Sequence, residues 1–339
     1  MNTTDTRYRS FALVRDMLET PEIIARFNPN QATDVAAEIA SVGRLLLTGE
    51  GSSRIFPAKN AIAHARRHGW PLELHTEAGR QATEYNLKKW AIFALSNSGR
   101  TAEVIELYHS LREQGHFDLF SLTAFADSKL GSLAKRAFVL SCGPEGAVAA
   151  TKSVIEQALF LRTLLEHVAK RPTLTSHLAT LADQFREALA TPIPAEVVAK
   201  LAQARTIFWA GRNNGVAEEL TLKTNEITRK RSDFLEGTYA VHGIEEVMDP
   251  SDVVIWIDPY AGSMTKFEDV LVKGVKLTVI AVSSQPTPFP TVRIPDGGDL
   301  SGFVQMAAGW NLLVETGLVL GINLDKPERA RKVGNEFVG

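Results

Sequence analysis

Cysteine occurs once in the 339 residues, at Cys142. That excludes an internal disulfide and a cysteine cluster for zinc, fits a reducing compartment, and leaves Cys142 to read as a small buried hydrophobe. No apolar run reaches the length that spans a bilayer, and the opening MNTTDTRYRSFALVRDML lacks the basic and then apolar order of a secretory leader. A cytoplasmic protein is expected. Lysine and arginine total 37 against 39 aspartate and glutamate, a formal net charge of -2. Such a balance provides no field for nucleic acid or an acidic membrane, and neither partner is expected; a small anion or a protein partner stays open. The eight histidines are scattered without an HExxH pairing, so no metal is expected. Also missing are a GxGxxG turn with an acid at ribose distance and a GxxxxGKS/T run, which argues against dinucleotides and ATP. No cofactor is expected.

What is present is a repeated grammar of strand, turn and helix. RLLLTG (44–49) is a short buried strand, GEGSSR a glycine-rich turn, and an alanine-rich helix runs from about Phe56 to Gly69. PLELHT, WAIFALS, DLFSLTAF and AFVLS follow as further strands between helices, and residues 148–170 read as a strongly amphipathic helix that closes the first half. Pro172, Pro192 and Pro194 mark a boundary region. ARTIFWAGRNNG (204–215) then begins a second copy, about 160 residues after the first. VVIWIDP, VKLTVIAVSS and TVRIP supply its strands and residues 302–321 its last helix. The expected fold is α/β, two doubly wound, flavodoxin-like parallel sheets flanked by helices. The expected domains are a helical arm at 1–30, broken near Thr20 and Pro21, a first domain at 31–190, a second at 191–320 and a tail at 321–339.

Chemistry concentrates in two places. In EELTLKTNEITRKRSDFLEGTYAVHG (218–243), Lys223 and Glu226 stand three apart on a helix, so they share a face, and His242 lies in a loop bounded by Gly237 and Gly243. A carboxylate, a cation and an imidazole are the parts of an acid/base site. The same spacing also fits a solvated face with an ion pair from Glu219 to Lys223. The second place is SNSGRT, where Ser96, Asn97, Ser98 and Thr101 lie between a strand and a helix, the setting of a phosphate site. Ser52 and Ser53 occupy the corresponding turn after the first strand. An ordinary helix cap by Ser96 or Ser98 would use one hydroxyl only.

GEGSSR, LSNSGRTAEV, GPEGAVAATKS, ELTLKTNE with the later HG, and GINLDKPERARK, in that order, resemble the tandem SIS (sugar isomerase) family. The likeness is greatest to the isomerase half of glutamine:fructose-6-phosphate aminotransferase and its stand-alone deaminase relatives. It implies that Ser96, Asn97, Ser98, Thr101 and Ser53 hold a sugar phosphate and that Val148 and Ala149 line the sugar through their backbone. It implies Glu226 as the catalytic base, with Lys223, a ring-opening His242 and the tail residue Lys332 completing the catalytic set. It further implies a homodimer in which His242 comes from the neighbouring subunit, and a tail that folds over the site. Without the resemblance, Lys332 reads as a solvated tail lysine. The run RSDFLEGTYAVHGIEE departs from the family pattern at Asp233, Tyr239 and Ile244, which bears on the substrate. No glutaminase segment is expected ahead of the arm. The expected activity is a phosphosugar aldose-ketose isomerase acting through an enediol or enolamine, with deamination of an amino sugar phosphate as an added step. A fructosamine-phosphate deglycase and a non-catalytic sugar-phosphate sensor are the alternatives.

Overall fold

Short apolar runs bounded by glycine and serine turns become strands, buried along most of their length at the sheet centres and partly exposed at the edges. In a computed structural model of the chain, which describes residues 1–2 and 4–338, these strands form two five-stranded parallel sheets. Contacts divide the chain into two compact units, each formed from segments far apart in sequence. One comprises Glu22–Glu145, Ala150–Ala179 and Arg331–Gly339; the other comprises Met1–Pro21, Gly146–Ala149 and Thr180–Ala330.

The first unit holds β1 (Arg44–Gly49), β2 (Glu73–Ala78), β3 (Ala91–Leu95), β4 (Leu119–Thr123) and β5 (Arg136–Val139), in the order β2-β1-β3-β4-β5. All residues of β3 and β4 are buried, as expected of parallel strands covered on both faces. Their neighbours include Val104, Leu107 and Tyr108 of the helix Ala102–Glu113. Tyr108 also carries its hydroxyl into the sheet, accepting from the Ala94 amide at 3.1 Å and donating to the Phe120 carbonyl at 2.5 Å. Because β1 is flanked by β2 and β3, the order in which strands are added across the sheet reverses there, and the carboxyl ends of β1 and β3 meet in register at Gly49 and Leu95. Ligands of open α/β sheets bind at such a crevice.

The second unit repeats the plan with β6 (Thr206–Gly211), β7 (Arg231–Glu236), β8 (Val253–Ile257), β9 (Thr278–Ser283) and β10 (Thr291–Arg293), in the order β10-β9-β8-β6-β7. Read from the β7 edge, this is the first sheet's order. Trp256 stacks on Phe267 with ring centroids 3.6 Å apart in its core. The helix Val216–Thr228, which follows β6, lies against the helix Ser301–Val319 so closely that a Cβ at Gly309 would sit 2.4 Å from the Leu220 side chain.

Three features differ from the sequence reading. The arm does not break at Pro21: one helix, Ala12–Arg26, runs through it. The buried Thr20 hydroxyl donates to the Asp16 carbonyl at 3.0 Å, a bond within the turn that the proline weakens. The helix Lys152–Val168 has no polar face, since Lys152, Glu156, Gln157, Arg162 and Glu166 are buried with the rest. Its acids are hydrogen-bonded: Glu156 takes the amides of Ser141 and Cys142, and Glu166 takes Arg162 at 2.8 Å. Finally, β7 was not among the expected strands of the second half. No helix among the described residues is long and apolar enough to cross a membrane.

Candidate active site

The turn after β3 is built by its own hydroxyls. Ser96, buried, extends the ladder through its amide to the Leu122 carbonyl at 3.1 Å. Its Oγ lies 2.8 Å from Thr101 Oγ1 and accepts from the Gly99 amide at 3.0 Å. Ser98 Oγ accepts from the Arg100 amide at 3.1 Å. Thr101 stands at the N-cap of the helix Ala102–Glu113 but makes no side-chain cap bond, so the hydroxyls shape the turn and the simple-cap reading does not hold. The turn needs glycine: Gly99 has φ +63°, and a Cβ there would lie 2.3 Å from Ser128 Cβ. Ser53 closes the turn after β1 and is reached by Gln157 Nε2 at 3.4 Å. Gln157 is fully buried, and its Oε1 has no hydrogen-bond partner among the described residues.

Asn97 leads to a residue the sequence reading passed over. Its Nδ2 donates to Ser153 Oγ at 2.8 Å and to Glu145 Oε2 at 3.1 Å. The Glu145 side chain has no exposed surface, and its Oε2 also receives Lys332 Nζ at 2.9 Å. Burial pushes the Glu145 carboxyl up, but the Lys332 ammonium and the amides of Thr151 and Ser153 outweigh it and hold it below the usual carboxylate range. The signal was present: Glu145 sits inside the GPEGAVAATKS stretch, just ahead of a helix start, where a carboxylate is favoured.

The tail is tied to this unit. Asn335 O accepts from the Ala102 amide at 3.1 Å, the Phe337 amide donates to Arg100 O at 2.9 Å, and Thr101 and Glu336 form an antiparallel bridge. Arg100 pairs with Glu336 at 3.1 Å, and the Phe337 ring stacks on His109. A tail rich in charge is thus held chiefly by main-chain bonds.

In the second unit, Lys223 is fully buried on the helix Val216–Thr228, 2.6 Å from Glu226 and 3.3 Å from the equally buried Glu219. Glu226 keeps 21% of its side chain exposed. Burial works against the Lys223 charge, but Glu226 and Glu219 outweigh it and raise its pKa above the ordinary ammonium value. The solvated-face reading of these three residues is therefore wrong. A partly open carboxylate on a buried cation is an arrangement that can take up and release a proton while a nearby positive charge meets an oxyanion.

His242 is exposed and follows the short turn Tyr239–Val241, its amide donating to Tyr239 O at 3.0 Å. Among the described residues, the hydrogen bond and ion pairs of Lys223 and Glu226 run to each other and to Glu219 and do not include His242. Ala149 is buried, and the Val148 amide donates to Asp325 O at 3.0 Å, so that amide is occupied here. Cys142 is buried as expected, and burial pushes its thiol up.

No family model matches the chain. The isomerizing glutamine–fructose-6-phosphate aminotransferase of Lactiplantibacillus plantarum is 24% identical over 349 residues, covering 95% of this chain. This chain spans only 58% of that relative's length. Among solved structures, the C-terminal domain of glucosamine-fructose-6-phosphate aminotransferase from Francisella tularensis superposes with a TM-score of 0.80 at 17% identity, covering 96% of this chain and 100% of that one. Glucosamine-6-phosphate deaminase from Thermotoga maritima superposes at 0.76 with 19% identity, covering 95% and 99%. The chain has the tandem SIS (sugar isomerase) fold, and in sequence and fold alike it resembles the isomerase half of glutamine:fructose-6-phosphate aminotransferase.

Proposed function

We propose that this chain is a cofactor-free phosphosugar aldose-ketose isomerase that works through an enediol or enolamine. The observation that carries the reading is the Glu226–Lys223 pair, a partly exposed carboxylate 2.6 Å from a buried ammonium. In the open-chain sugar, Glu226 removes the proton from the carbon beside the carbonyl. The C–H electrons form the carbon–carbon double bond, and the carbonyl electrons move onto oxygen, where the Lys223 charge meets them. Glu226 returns the proton to the neighbouring carbon, and a proton passes between the two oxygens, so the carbonyl has moved by one position with no redox partner. The Ser96–Thr101 turn, with Ser53, takes the phosphate, and the backbone at Val148 and Ala149 lines the sugar. His242 and Lys332 serve ring opening, moving a proton from the anomeric hydroxyl to the ring oxygen. The exposure of His242 on its own chain supports a homodimer in which each copy lends its histidine to the other.

With an amino sugar phosphate of the glucosamine 6-phosphate class, which carries its amine on C2, the same proton removal gives an enolamine, return of the proton to C1 gives an imine at C2, and water hydrolyses its C=N bond to ketone and ammonia. The test is proton NMR in deuterated water with fructose 6-phosphate and, separately, glucosamine 6-phosphate. Hydrogen exchange at C1 or C2 is expected, reduced about 10²- to 10⁴-fold in Glu226→Gln. Ammonia appearing with the amino sugar makes the chain a deaminase. Binding of both sugars with no exchange in either overturns the reading in favour of a sensor.

A further inference from the structure

Glu145 joins two pieces of this unit that sequence keeps far apart. One oxygen, Oε1, accepts from the Thr151 amide at 2.7 Å and the Ser153 amide at 3.2 Å, at the start of the helix Lys152–Val168. Those main-chain donors fix the carboxylate plane. The other oxygen, Oε2, must then face Asn97 Nδ2 at 3.1 Å, Ser153 Oγ at 3.0 Å and Lys332 Nζ at 2.9 Å. Asn97 belongs to the turn after β3 and Lys332 to the tail, so one buried oxygen sets both.

We propose that Glu145 is a positioning residue: it fixes the tail amine and the anion-binding turn relative to each other through a single carboxylate oxygen. Helix capping alone would need Oε1 only; the three donors on Oε2 are what this role adds. The inference rests on the isomerase reading only for the use made of Lys332 and the turn, not for the coupling itself.

Glu145→Gln separates the two edges of the carboxylate. The amide oxygen replaces Oε1 and keeps the helix amides, while the NH₂ group confronts Asn97, Ser153 and Lys332 with a donor where they had an acceptor. In the whole chain, acetylation of Lys332 by an amine-specific ester, followed by mass spectrometry, is expected to run about tenfold faster in E145Q, with the exposed Lys200 of the other unit unchanged as the internal standard. An unchanged Lys332 rate overturns the proposal. Lys332→Met, at a position one third exposed, tests it without disturbing the fold. It strands the buried carboxylate, so Tm falls by about 3–6 °C and adding E145Q recovers part of the loss. A Tm equal to wild type in K332M also overturns it. In turnover, E145Q and K332M should each lower kcat by a similar factor, and the double variant by that factor only once, while additive losses count against the coupling. Labelling and Tm need no turnover, so a wild-type protein that exchanges no sugar hydrogen would sink the isomerase reading and leave this one standing.

Discussion

At the scale of single residues, Lys223 decides most. An exposed ion pair contributes about 0–1 kcal/mol. A fully buried ammonium facing two carboxylates is different, because removing it leaves the buried Glu219 charge without its cation. Lys223→Met is therefore expected to cost about 3–5 kcal/mol in urea unfolding, and Glu219→Gln in the same background to recover part of it. The folded pKa of Lys223 is raised, so its contribution is fully present below the unfolded lysine value near ~10.4 and is lost only as pH rises through the folded value. Unfolding midpoints of wild type and K223M measured between pH 7 and pH 9 should keep a constant separation. The spacing of Glu219, Lys223 and Glu226 showed that they share a face, but not that the face is buried. Burial depends on what packs over a helix, and charged residues at such spacing are far more often solvated.

Among the elements, the turn after β3 carries the strongest constraint. Gly99→Ala puts a Cβ into Ser128, which itself caps a short helix through the Gly131 amide at 3.1 Å, so neither side yields freely. Affinity for fructose 6-phosphate by calorimetry is expected to fall about tenfold or more, with the strain at positive φ adding to the clash. Tyr108→Phe leaves the Ala94 amide and the Phe120 carbonyl without their hydroxyl partner and should lower stability by about 1–3 kcal/mol in denaturant titration. The buried strands β1, β3, β4, β6, β8 and β9 were legible as apolar runs ended by small residues. The edge strand β7 was not: in RSDFLE only Leu235 is buried, so alternation and apolar content are both weak. The helix Lys152–Val168 misled in the opposite direction, because its polar residues find partners inside, an outcome of tertiary contacts and not of periodicity. The anchoring of residues 335–337 was not legible in composition, since the bonds that hold it are main-chain ones that any side chain permits.

For the whole molecule, a test of assembly follows from the exposure of His242. If each site takes its base from one copy and its histidine from another, Glu226→Gln and His242→Ala are both inactive alone, yet a dimer of one of each retains one intact site. Equal co-expression should restore about a quarter of wild-type activity, since half the dimers are mixed and each has one working site. No recovery in purified mixed dimers would place the histidine in its own chain's chemistry. The repeated strand order was legible as a second copy of the grammar, but the way segments are shared out was not, because nothing in Met1–Pro21 says that it belongs with residues after 180. Tyr8 bonds to Glu315, and the Ala12 and Leu13 amides reach Asp325. Ribosomes make the chain from one end only. The first sheet can therefore assemble on emergence, while the earliest residues wait for partners made some 300 positions later. The turn after β3 in turn stays without its strap until residues beyond 330 have appeared. A nascent chain stalled before that point would carry a folded but unlatched turn.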